Sequence, residues 1–162
     1  MTFLSLRDID GPYNGLATKI RFIKACYHKT LTDPRLRRFA EQAAGRGTRT
    51  QQAQRLFNAI REKFVYTPDP VGVEYTKSPL RHLDDILSGG NAHGDCDDQA
   101  CFNYAALMSI GLPAKLRVTW YSQKMPQHIY NLVKLDGAWY PFDTTRATGF
   151  GQEKPFTKSK DF

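Results

Sequence analysis

An α+β fold follows from three features of the 162-residue sequence. Apolar residues recur at helical spacing through the first half. Near the C-terminus, alternating segments rich in β-branched and aromatic residues predict strands. Between the two lies one helix with clear signals at both ends. Apolar residues make up 41% and charged residues 24%, a globular balance that excludes a disordered chain or a disulfide-stapled miniprotein. The length suits one domain over residues 1–162, organised as a basic helical extension (1–49), a core (50–146) and a tail (147–162).

In LATKIRFIKACYHK, Leu16, Ile20, Ile23 and Tyr27 form one apolar stripe, which leaves Lys19, Arg21, Lys24 and Lys29 pointing mostly outward. Asp33-Pro34 starts a second helix, an acceptor at the cap followed by a proline whose missing N–H costs nothing there. Leu36, Phe39 and Ala40 are its apolar stripe, and the glycines of AAGRG end it. Thr50 is placed to cap a third helix that turns Ala53, Leu56, Phe57, Ile60 and Phe64 inward. From Val65 to Pro79 three prolines and a glycine interrupt any period, which predicts a long ordered loop walling a cleft. PLRHLDDILS is a short helix closed by Gly89-Gly90.

GDCDDQACFNYAALMSIGLP carries the sharpest helix signals. Asp95 suits the cap, Asp97 and Asp98 favour the positive end, and Gly111 with Pro113 stops it. Cys96 then sits in the first turn, with Ala100, Tyr104, Leu107 and Met108 facing the core. AKLRVTWY, HIYNLVKL and AWYPFDTT read as three strands, the last two joined at Asp136-Gly137. The tail QEKPFTKSKDF reads as loosely held.

The net charge of +7 is uneven: residues 1–80 carry 14 Lys/Arg against 7 Asp/Glu, residues 81–162 carry 9 against 9. The basic excess suits an acidic partner for the N-terminal helices. No nucleic-acid motif accompanies it, so the preferred reading is a solvated helix face. No apolar run spans a bilayer, and MTFLSLRDID meets acid and base too early for a signal core, so a cytoplasmic protein is expected. Cys26, Cys96 and Cys101 are expected as free thiols, Cys26 and Cys101 as small buried hydrophobes. Zinc-type pairs, H-E-x-x-H, G-x-S-x-G and phosphate loops are absent from the sequence.

If Asp136-Gly137 is a two-residue turn, Leu135 faces Ala138 and Tyr130 faces Asp143. His128 is then the diagonal neighbour of Asp143 on the same face, and a register shifted by one would separate them. A cysteine at a helix N-terminus, a strand histidine and an aspartate on the next strand are the parts of a nucleophile, base and orienter. The ordered motifs GDCDD, QHIYNLV and WYPFDTT, with Cys96, His128 and Asp143, resemble the transglutaminase-like superfamily, a branch of the papain-like folds. Bacterial and bacteriophage transglutaminase-like cysteine proteinases are the most similar members, and the resemblance covers residues 50–146.

The resemblance implies a cysteine helix packed on an antiparallel sheet and acyl transfer through a thioester. Cys96 would attack, His128 would move the proton and Asp143 would hold the imidazole. First-turn N–H groups would receive the oxyanion, with a second donor from Asn91, Tyr75 or Gln99. Trp120, Tyr130 and Trp139 are the candidates to line a substrate groove. His28, His82 and His93 read as surface or structural. Some family members hold calcium with the acids flanking their cysteine, and Asp95 and Asp97 match those ligands. A hard cation needs about six oxygens and fewer are visible here, so helix capping is the preferred role of these acids and no cofactor is required. The function expected is hydrolysis of a peptide or isopeptide bond in a protein or peptide substrate. Transamidation is the enzymatic alternative, and a non-catalytic phage or bacterial assembly module with a basic face is the other.

Overall fold

The computed structural model describes residues 12–71, 75–145 and 148–162; the opening MTFLSLRDID lies outside them. Helices α1 (Pro12–Thr30), α2 (Pro34–Ala44) and α3 (Arg49–Lys63) come first, followed by strand β1 (Phe64–Tyr66), helix α4 (Pro79–Leu87), strand β2 (Ala92–Gly94) and helix α5 (Cys96–Ser109). Strands β3 (Ala114–Trp120), β4 (His128–Leu135), β5 (Ala138–Phe142) and β6 (Lys158–Asp161) complete the fold.

Asp33 caps α2 through its side chain, and Pro34 opens the helix. The third helix starts earlier than Thr50: Thr48 is its cap, because Gln51 at the third helical position returns a hydrogen bond to the Thr48 N–H and completes a capping box. The expected 65–79 loop is in part a strand. Residues 64–66 pair in parallel with residues 92–94 in a two-stranded sheet, too short to show an alternating pattern. That pairing ties the end of α3 to the approach to α5.

The larger sheet is antiparallel in the order β5-β4-β3-β6. β4 and β5 pair as Leu135↔Ala138 through Asn131↔Phe142, the register of a two-residue turn. Asp136 and Gly137 have φ of 49° and 85°, left-handed geometry at both central residues that matches the strand twist and suits Asp-Gly. The expected loose tail is instead edge strand β6, antiparallel to β3. Arg117 on β3 grips Asp161 through two hydrogen bonds of 2.7 and 3.0 Å and also reaches Glu153. Backbone hydrogen bonds run both ways between Phe162 and Leu116. The apolar contribution of this segment falls on Phe162 rather than on the strand KSKD, so alternation does not reveal it.

α5 is the central element, buried continuously from Asp97 to Leu107 rather than along one stripe. One face meets a core of Leu36, Leu56, Phe57, Phe102, Leu107 and Phe142. The other meets Ile20, Ile23, Cys26, Leu116, Val118 and Ile129. α1 and α2 thus cover faces of α5 that the sheet leaves open, so the N-terminal helices are part of the packing around it. No described helix is long and apolar enough to cross a membrane.

Candidate active site

The tight approach to α5 depends on Gly94. A Cβ there would lie 2.4 Å from the Asp98 Cβ, so only glycine lets Asp98 fold back and accept the Asp95 N–H at 3.2 Å. Asp95 in return accepts the N–H groups of Asp97 (3.1 Å) and Asp98 (3.5 Å). This reciprocal box presents Cys96 at the first helical position. Asp98 is further held by the Lys77 N–H at 2.7 Å and lies 3.3 Å from Nε2 of the fully buried His82.

His128 opens β4, and Asp143 follows β5 directly. Nε2 of His128 lies 2.7 Å from Oδ2 of Asp143, with both side chains buried. Thr145 donates its N–H (3.1 Å) and hydroxyl (2.6 Å) to Oδ1 of the same carboxylate. With Nε2 committed to Asp143, Nδ1 is the ring nitrogen left to serve a thiol. The Tyr130 ring stacks on the imidazole with centroids 5.3 Å apart. The chain beyond Asp143 is pinned to α5: the Thr144 hydroxyl donates to Gln99 at 2.8 Å and accepts from Asn103 at 3.0 Å.

Cys96 and His128 both line two cavities. One, of about 420 Å³, is walled by Leu16 and Lys19 of α1, Asp69 and Pro70, the first turn of α5, and Val118 and Ile129. The other, of about 260 Å³, is completed by Tyr66, Gln127 and Thr145. Gln127 shapes this rim, because its Oε1 accepts the N–H groups of Tyr121, Ser122 and Gln123.

Burial pushes the Cys96 thiol well up, and the Asp97 and Asp95 carboxylates add to this, while the Ile129 N–H and the Lys19 ammonium pull the other way. The thiol donates toward Oδ1 of Asp97 at 3.5 Å. Burial, then Asp97, Asp98 and Asp69, pushes the Asp95 carboxyl up to about 7, so the cluster carries less than its full formal charge near neutrality. For Asp143, burial acts upward, but the bonds from His128 and Thr145 outweigh it and hold the carboxyl below its usual range. A depressed carboxyl contributes stability above the ordinary carboxylate range and loses it as pH falls through the folded-state value. Thermal unfolding between about pH 5 and pH 3 is therefore expected to show a shallower acid loss in Asp143→Asn than in the wild type.

Other sequence candidates fall elsewhere. Gln99 is buried, its Oε1 accepts the Thr144 hydroxyl, and it lines neither cavity at Cys96. Asn91 is exposed on the turn before β2 and lines neither cavity at Cys96. Tyr75 lines a separate cavity with Thr67, Lys77 and His93. Trp120 is buried under the Lys158 ammonium, and Trp139 lies half-exposed under that of Lys115, both away from the two cavities. Tyr130 is buried and backs the imidazole instead of lining a groove. Aromatic strand residues face whichever side the register dictates, and composition does not reveal which. Cys26 and Cys101 are buried thiols.

Lys19 departs most from expectation. Its ammonium pairs with Oδ2 of Asp97, and the side chains are only 15% and 6% exposed. Lys19 lies one residue from Ile20 of the apolar stripe, and its partner is remote in sequence, so spacing alone points it outward. Tyr66, Gln127 and Thr145 are also site residues the motifs do not name. Of these, Thr145 carries a signal, since a threonine two residues beyond an aspartate is placed to bond it.

Ligand atoms of Asp95, Cys96 and Asp97 lie within 4.8 Å of one another. This set does not fit calcium. Oδ1 of Asp95 already accepts two helix N–H groups, Oδ2 of Asp97 is held by Lys19 and Thr76, and the third atom is a soft sulfur, which leaves far fewer than the roughly six oxygens calcium takes.

The profile of the transglutaminase-like superfamily matches residues 37–144. The chain belongs to this superfamily. No curated protein matches it in sequence. Similar folds occur in a candidate cysteine protease from Cytophaga hutchinsonii (TM-score 0.55, 18% identity, covering 77% of this chain and 41% of that one). A candidate protease from Parabacteroides distasonis ATCC 8503 gives 0.61, 12%, 91% and 28%. EGTA-treated LapG from Legionella pneumophila gives 0.50, 18%, 78% and 72%. At these identities the likeness is one of fold, and the chain spans less than half the length of the first two.

Proposed function

We propose that the protein is a cysteine hydrolase that cleaves an amide bond, peptide or isopeptide, with Cys96 as nucleophile, His128 as general base and acid, and Asp143 as the group that orients the imidazole. The observation that carries this reading is the buried 2.7 Å contact between His128 Nε2 and Asp143, on a histidine that shares both of its cavities with Cys96. Because the thiol is held protonated, its proton passes to Nδ1 of His128 as sulfur attacks the carbonyl carbon. The S–C bond forms, and the C–N bond breaks as His128 returns the proton to the leaving amine. Water then adds to the thioester with His128 again taking its proton, releasing the acid and restoring the thiol. The Asp97 and Asp98 N–H groups are taken by Asp95, which leaves the Cys96 N–H as the first-turn donor for the oxyanion.

The test is a fluorogenic peptide library in ¹⁸O-water, with and without a primary amine. Hydrolysis is expected to place ¹⁸O in the new carboxyl group. Products that carry the added amine in preference to ¹⁸O would show transamidation, and no turnover of any member would favour a non-catalytic assembly role.

A further inference from the structure

The acids at the nucleophile pose an electrostatic problem. Asp95, Asp97 and Asp98 sit within one helical turn of Cys96, and Asp69 faces the same cavity. Left alone, such a cluster repels a thiolate. The described structure meets it with one cation from outside the core of the family match. Lys19 lies on α1, before residue 37 where that match begins, and pairs with Asp97 on the cavity wall. Its position is fixed by packing, because Ile20 and Ile23 of the same helix are buried against Ala100 and Cys101 of α5. Leu16, one turn earlier, lines the same wall. Other charged groups facing the cavity are Asp69 and Asp95, with His128 opposite.

We infer that Lys19 is a positioning residue of the site, a built-in countercharge by which α1 neutralises Asp97 and orders the first turn of α5 around Cys96 without a metal ion. The inference rests on Cys96 being the nucleophile proposed above. It gives α1 a specific part in the chemistry: the reactive site is complete only when the N-terminal helix is docked. On this reading the ammonium takes the Oδ2 of Asp97 that a divalent cation would need.

The test compares wild type, Lys19→Met, Asp97→Asn and the double variant by the rate at which iodoacetamide alkylates Cys96, read by peptide mass spectrometry, in EGTA and in millimolar calcium. Thermal melting is recorded for each variant, and calcium binding is measured calorimetrically on the wild type. Lys19→Met strands a buried carboxylate beside the thiol, and it is expected to slow alkylation about tenfold. The double variant removes both charges and should recover to about the wild-type rate, an outcome that a purely packing role for Lys19 would not produce. The wild-type rate should be the same in EGTA and calcium, with no calorimetric calcium binding. Wild-type alkylation by Lys19→Met, slowing that persists in the double variant, or wild-type alkylation that needs calcium would each overturn the inference. If Lys19→Met fails to fold, the wild-type calcium arms and a comparison of the double variant with wild type still decide it. Alkylation is read without substrate, so a wild type that shows this coupling but hydrolyses nothing would count against the proposed hydrolase and not against the countercharge.

Discussion

Cys96→Ala is expected to reduce turnover to background while leaving the melting transition within about 1 kcal/mol of wild type. The thiol sits at the first turn of α5, where its polar partners are a long 3.5 Å contact to Asp97 and the Ile129 N–H, and the helix cap is built from Asp95 and Asp98 without it. Removing sulfur would therefore remove the proposed nucleophile and little else. Cys101, fully buried between α5 and α1, is the control. Cys101→Ala should cost about 1–2 kcal/mol through lost packing and leave turnover largely unchanged in the folded fraction. Activity measured beside a melting curve checks both. Equal loss of activity in the two variants would assign Cys96 a structural role.

Asp143→Asn is expected to lower kcat by on the order of 100-fold or more with little change in KM. Oδ2 of Asp143 accepts from Nε2 of His128 and thereby holds the proton on that nitrogen, leaving Nδ1 basic. An asparagine can present an N–H at the same place and trap the wrong tautomer. Thr145 bonds Oδ1 of Asp143 at 2.6 Å and only reaches Nε2 of His128 at 3.4 Å, so Thr145→Val should have a smaller effect in the same direction. Steady-state kinetics on a peptide found in the library screen separates these outcomes, and an Asp143→Asn enzyme with wild-type kcat would remove Asp143 from the mechanism.

The parts of this molecule that are legible in the sequence are those governed by local rules. Asp136-Gly137 sets a two-residue turn, and the turn sets the register that carries His128 to Asp143. Asp95 and Asp98 have the spacing of a capping box, and the box is there. What is not legible depends on distant contacts. β6 has a polar strand sequence whose pairing rests on Arg117 and on Phe162. β1 and β2 are three residues each and are defined only by one another. The inward turn of Lys19 follows from how α1 docks on α5, which no spacing in α1 encodes. Gln99 sits one turn after Cys96, and nothing in the spacing shows that its Oε1 meets Thr144 beyond β5.

Activation of Cys96 by His128 is tested by the alkylation rate of Cys96 across pH in wild type and His128→Ala. Iodoacetamide is expected to label Cys96 well ahead of Cys26 and Cys101 in the folded protein, and His128→Ala to slow this labelling about tenfold or more near neutral pH without altering the other two cysteines. Labelling of Cys96 at the same rate with and without His128 would contradict it.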